Sequence, residues 1–173
     1  MTAGVEMHAL FSAIGALLRE HGGLERVFAQ SLPASSRSVK PGLEALVHQL
    51  RSHAFAAARA PLGTRRLRFL LPSPAEGSAC KRLNMWLRWM VRHQQGLDLG
   101  LWRSARPAQL IIPLDAHVIR LASFFGLTTR ATPDWRMAEE VTASLRRLDP
   151  DDPVKYDFAL SHIGMSGACL PAV

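Results

Sequence analysis

Apolar residues recur along this chain at three- and four-residue spacing, the period of an amphipathic helix, and hardly anywhere at the two-residue spacing of a half-buried strand. From Val5 to Glu20 they fall at Leu10, Ile14, Leu17 and Leu18, after which Gly22 and Gly23 supply a helix stop. Leu24 to Gln30 predicts a short second helix. Pro41 to Ala58 predicts a third, with proline at a suitable first position and Leu43, Leu46, Val47 and Leu50 on one face. Pro33 to Ser38 and Arg59 to Thr64, rich in Pro, Ser, Ala and Gly, read as connectors. The second half predicts four more helices, near Ser78 to His93, Pro113 to Phe125, Asp134 to Leu148 and Pro153 to Ile163. Pro113 and Pro153 suit first turns, Thr132 or Pro133 opens the third of these helices, and Asp152 is a good N-cap for the last. Only Gln109 to Ile112 reads as extended, because Pro113 keeps its predecessor out of the helical region. The expected fold class is all-α, an array of helices joined by short connectors.

Laid out at about 100° per residue, the helix after Gly77 separates into two faces. Leu83, Trp86, Leu87, Met90 and Val91 form a predicted core stripe. Opposite them Lys81, Arg88 and Arg92 fall within about 40° of one another, flanked by Asn84 and Met85, which predicts a cationic ridge. Gly77, Ser78 and Ala79 lie just before it, where free backbone N–H groups and the positive helix end favour a phosphate. The second pattern is LIIPLDAHV, Leu110 to Val118, in which Asp115 is expected near the third helical position.

Charge gives that ridge a meaning. The 21 basic residues against 14 acidic ones leave a formal charge of +7, so an anionic partner, and first of all nucleic acid, is expected. Lysines are scarce: Lys40, Lys81 and Lys155 are the only side-chain amines. Cys80 and Cys169 are too few for a disulfide framework or a cysteine-ligated metal centre, which fits a reducing compartment. No apolar run approaches the roughly 20 residues of a membrane span, and Glu6 and His8 near the start argue against a signal peptide, so a cytoplasmic location is expected.

The segment GSACKRLNMW, Gly77 to Trp86, resembles the second half of the helix-hairpin-helix of the endonuclease III superfamily of DNA glycosylases, whose pattern is LPGVGxKTAxxV. LDAHV resembles the VDTHV that follows in the same superfamily, with Ala79 in place of the second hairpin glycine and Ala116 in place of the threonine. The stretch from Phe69 to Gly164, including KRLNMWLRWMVR, LIIPLDAHVIRLA and DPVKYDFALSHIG, is closer still to a bacterial and archaeal family related to the archaeal 8-oxoguanine glycosylases. Relative to that family the chain is short on its N-terminal side.

The resemblance implies a helix-hairpin-helix glycosylase-like helical array, with an N-terminal helical part over residues 1–60 and a core over 61–173. Lys81 falls on the lysine nucleophile and Asp115 on the assisting aspartate. Gly77, Ser78, Ala79, Arg82, Arg88 and Arg92 become the expected DNA contacts and Trp102 the candidate for the base pocket. No cofactor, iron–sulfur cluster or metal is implied. The implied partner is double-stranded DNA with a damaged or modified base, with no membrane and no obligate protein partner, in a nucleoid-associated setting. The chemistry fits these residue types: breaking an N-glycosidic bond develops positive charge on the sugar, which a carboxylate stabilises and an amine can attack. His117 reads as a structural donor, Cys80 as a small buried residue, and the acids from Asp149 to Asp157 as caps. Two other classes stay open: a non-catalytic DNA-binding module, and an enzyme cleaving glycosidic bonds in modified nucleotides.

Overall fold

A computed structural model describes residues 4–58, 64–94 and 96–165. The fold is all-α. It divides into two compact units, residues 1–76 and 77–173, so the boundary lies between Glu76 and Gly77 rather than at residues 60 and 61.

The N-terminal unit contains α1 (Gly4–His21), α2 (Leu24–Gln30), α3 (Lys40–Ala58) and α4 (Thr64–Leu70). The stripe that α1 buries is Ala9, Ala13 and Leu17, one position away from the bulkier Leu10, Ile14 and Leu18. Two alanines let the backbone of α1 approach α3 closely. At Gly42 on α3 a β-carbon would lie 2.8 Å from the Phe28 ring and from its carbonyl oxygen, so glycine sets the close crossing of α2 over α3. The helix α4 is absent from the sequence-based expectation, because its single buried leucine, Leu67, is too little for a periodic signal. It belongs with α3: Arg51 donates to the Leu71 carbonyl (2.8 Å) and makes a two-pronged pair with Glu76 (2.7 Å each). That tie is why the boundary falls after Glu76. The connector at residues 33–38 forms as expected; most of the one at 59–64 lies outside the described residues.

The C-terminal unit contains α5 (Lys81–Val91), a two-residue antiparallel hairpin of β1 (His93–Gln94) and β2 (Asp98–Leu99), α6 (Ala116–Phe124), α7 (Trp135–Arg146) and α8 (Asp157–Met165). Its core is built from Leu87, Leu110, Ile112, Leu121, Trp135 and Met137. Leu110 to Leu114 runs buried and extended without a sheet partner. Thr142 replaces the partner, its hydroxyl accepting from the Ile112 N–H (3.0 Å) and donating to the Ala138 carbonyl (2.6 Å). Pro113 belongs to that buried run, and α6 starts only at Ala116. The last predicted helix also divides: Pro153–Tyr156 is a 3-10 turn, and α8 follows at Asp157.

Candidate functional site

The loop before α5 is held from both sides. Gly77 adopts φ +78° and faces open space, while its carbonyl accepts from the Trp135 N–H (2.9 Å) at the start of α7. Ser78 pairs with Asp134 in an isolated antiparallel bridge, and its hydroxyl accepts from the Cys80 N–H (3.2 Å). The Ala79 carbonyl accepts from Asn84 Nδ2 (3.0 Å), a buried side chain on α5. Cys80 is buried, as expected, and turns the chain into the helix from the left-handed region (φ 48°). Lys81 is therefore the first residue of α5, exposed beside Arg82, where the leading N–H groups of a helix have no partner within it.

Asp115 is the N-cap of α6 rather than a residue inside its first turn, because its carboxylate satisfies the helix start: Oδ1 accepts from the Val118 N–H (2.8 Å). The other oxygen accepts from the Ser161 hydroxyl on α8 (3.3 Å). Lys81 is not among these partners. The carboxylate is half-buried and held at both oxygens by separate elements. His117, one residue into α6, packs against Gly164 of α8, whose carbonyl accepts from Arg120 (2.9 Å).

The cationic ridge expected on α5 does not form. Arg88 and Arg92 are each 6% exposed and point inward with Asn84, so the stripe at positions 84, 88 and 92 faces the interior. Acids placed by other elements are the physical reason. Arg88 pairs with Asp157 of α8 (2.7 Å) and lies 3.5 Å from Asp98. Arg92 pairs with the same Asp98 and with Asp152 (2.8 Å). Asp152 thus serves Arg92 instead of capping the last helix, and Asp157 serves Arg88; the reading of these acids as caps is corrected for both. Asp149 does cap its loop, accepting from the Asp151 and Asp152 N–H groups (3.0 Å each), and also pairs with Lys155. Burial pushes the Asp157 carboxyl above the usual range, against the pull of Arg88, and Asp115 and Asp98 push it the same way.

Trp102, the candidate for the base pocket, is buried. It is 8% exposed and meets Trp86 edge to face, with ring centroids 4.8 Å apart. Asp98, Asp157 and Ser161 were missed as site residues by reading the sequence. The available signal was the four-residue repeat of Asn84, Arg88 and Arg92 on one stripe, which fits a buried polar seam as well as an exposed one. The N-terminal unit adds a cleft of about 620 Å³ lined by His48, Arg51, Phe55, Arg68 and Glu76 among others. Arg51 there is already engaged by Glu76, whose carboxyl it holds below the usual range.

Among the described residues, no group of three or more His, Cys, Asp or Glu is placed to hold a metal, and no helix is long and apolar enough to cross a membrane. The family described as "Protein of unknown function (DUF2400)" matches residues 1–166. The chain belongs to the DUF2400 family. No curated protein and no solved structure matches it. In this DUF2400 chain the two residues singled out for chemistry lie in one compact unit, each fixed at a helix start: Lys81 on a braced loop, Asp115 on a two-sided carboxylate clamp.

Proposed function

We propose that this chain is a helix-hairpin-helix DNA glycosylase that excises an altered base from double-stranded DNA through a lysine Schiff base, with an associated strand-cleaving lyase step. The observation that carries this reading is the clamped Asp115 carboxylate. A carboxylate that must sit beside a developing sugar cation gains from being fixed before the reaction, and Asp115 is fixed by Val118 and Ser161. Lys81, exposed at the first position of α5, presents the amine. Its Nζ bonds to C1′ as the base leaves with the glycosidic electron pair and takes up a proton; ring opening and loss of a proton from Nζ then give the imine. The loop of Gly77, Ser78 and Ala79, with Arg82, supplies phosphate contacts at the same helix start. This chemistry belongs in the cytoplasm, on the nucleoid.

Borohydride added during reaction with lesion-bearing duplexes tests it, because it reduces the imine to a stable protein–DNA adduct. A panel of oxidised, deaminated and alkylated bases is used, with 8-oxoguanine first. Lys81→Gln is expected to abolish trapping and retain DNA binding, while Lys40→Gln and Lys155→Gln trap normally. Asp115→Asn is expected to release base on the order of 10²-fold more slowly. Trapping that persists in Lys81→Gln would refute the assignment. No adduct and no base release on any lesion, with DNA binding intact, would leave the non-catalytic DNA-binding module, which the burial of Trp102 favours.

A further inference from the structure

The extended segment that follows the hairpin turn is built inside out. Along residues 97–103 exposure alternates without a break: Leu97, Leu99, Leu101 and Arg103 face outward, and Asp98, Gly100 and Trp102 face inward. A half-buried strand ordinarily places apolar side chains inward and charges outward. Here the acid goes in, and the three leucines are 45%, 56% and 64% exposed.

The arrangement is fixed, not loose. The Asp98 side chain is fully buried between Arg88 and Arg92. Gly100 stands at φ +59° and so near β1 that a β-carbon would lie 2.8 Å from the His93 β-carbon. Its N–H donates to the Trp89 carbonyl (3.2 Å), and the Trp102 N–H donates to the Met90 carbonyl (2.8 Å), strapping the segment to the end of α5. A one-residue slip would bury the leucines only by moving Asp98 into solvent, leaving two buried guanidiniums without a shared carboxylate. The leucines are thus held outward by the ion pairs beneath them.

The three leucines form an exposed apolar stripe that runs from the turn through β2 to the residue beyond Gly100. Trp89, whose carbonyl accepts from the Gly100 N–H, is 39% exposed on α5. Beside the stripe are exposed His93, which is in register with Leu99, and Gln94, and the alternation ends on exposed Arg103. The acids on neighbouring elements, Asp98 and Asp152, are turned to Arg88 and Arg92. An apolar stripe that ends on a guanidinium, with the nearby acids turned inward, complements flat apolar faces set beside anions. Unstacked nucleobases between phosphates have that character; in an intact duplex each base face is covered by its neighbours.

We propose that the outward stripe of Leu97, Leu99 and Leu101, with Arg103 at its end, is a contact surface for the unstacked bases and phosphates of opened DNA, and gives the protein a preference for interrupted over intact duplex. This rests on the DNA reading above. Leu97, Leu99, Leu101 and Arg103 have no part in the chemistry assigned to Lys81 and Asp115, so the two roles are tested by different variants.

The test titrates the full chain, by fluorescence anisotropy, against an intact duplex, the same duplex with a central tetrahydrofuran abasic analogue, and the single strand. None of these requires catalysis. The wild type is expected to favour the abasic duplex and single strand over the intact duplex. Leu99→Asn combined with Leu101→Asn is expected to weaken binding to those two about tenfold, with intact-duplex affinity and melting temperature unchanged. Retention of the preference in the double variant overturns the proposal. An equal loss on all three substrates also overturns it, since the stripe would then be a general contact. Failure of the wild type to bind any of them defeats the DNA reading itself, and the stripe proposal with it. A concentration-dependent dimer in sedimentation that the double variant loses would assign the stripe to contact between two copies of the chain, and overturn it as well.

Discussion

Arg88 carries a formal charge into a place that is 8% accessible to solvent at its side chain, and it is held there by Asp157 and, more distantly, Asp98. Breaking such a buried pair by removing one partner costs about 3–5 kcal/mol, because the charge left behind has lost its water. Asp157 feels the opposite side of that balance. Burial is the largest influence on its carboxyl and raises it, Arg88 opposes, and Asp115 and Asp98 reinforce the rise. The unfolded chain therefore gives up this proton near the ordinary value of 3.8, at lower pH than the folded chain does. Between those two values the folded state binds more protons, so this group's contribution to stability falls as pH rises. Glu76, Asp134 and Asp149 are shifted the other way and gain stability as they ionise. The measurable quantity is thus a difference: urea midpoints from about pH 3.5 upward should decline less with pH in Asp157→Asn than in the wild type. Parallel curves for the two proteins would show that Asp157 titrates alike in both states.

At the scale of elements, the contact that matters most for the candidate site is α6 against α8. Gly164 brings the helices together: a β-carbon there would lie 2.5 Å from the His117 β-carbon and 3.1 Å from its ring. The same crossing puts Ser161 against Asp115 and lets Arg120 reach the Gly164 carbonyl. Gly164→Ala is expected to force the helices apart at a cost of about 1–3 kcal/mol, lowering the melting temperature by several degrees. Under the glycosylase reading it also slows base release, since α8 carries away the Ser161 hydroxyl. An alanine variant that melts with the wild type would mean that His117 moves aside freely and that the crossing is not set by this glycine.

For the molecule as a whole, the excess of seven positive charges is an electrostatic asset only where the cations reach solvent. Arg88 and Arg92 are neutralised inside the C-terminal unit, which leaves Lys81 and Arg82 as the exposed cations at the start of α5. Duplex affinity should therefore fall with salt at a log–log slope near −0.9 per phosphate contacted. Arg82→Gln is expected to make that slope shallower by about one, whereas Arg88→Gln should lower the melting temperature and leave the slope of the folded protein unchanged. A flat salt response in the wild type would remove phosphate neutralisation from the account.

Helix period, glycine stops and connector composition determined the all-α class and the positions of α1, α2 and α3, because these depend on neighbours within a few residues. In contrast, α5 starts at Lys81 and not at Ser78, since Ser78 is bridged to Asp134 and Cys80 turns the chain from the left-handed region. The burial of Cys80 was legible from neighbours within a few residues, as the helix positions were. Which face of α5 turns inward was not: Asn84, Arg88 and Arg92 form one stripe in the sequence whether solvent or acid meets it, and the acids come from Asp98, Asp152 and Asp157 on three other segments. Asp115 was legible as a helix-start carboxylate, but Ser161 at its second oxygen depends on a crossing set by Gly164, forty-odd residues away. The hairpin's inverted alternation follows from that buried charge: once Arg88 and Arg92 lie inside, Asp98 must follow them, and Leu97, Leu99 and Leu101 are left in solvent. Local periodicity sets what a segment can become, and the long-range pairing of buried charges decides which side of it the molecule keeps.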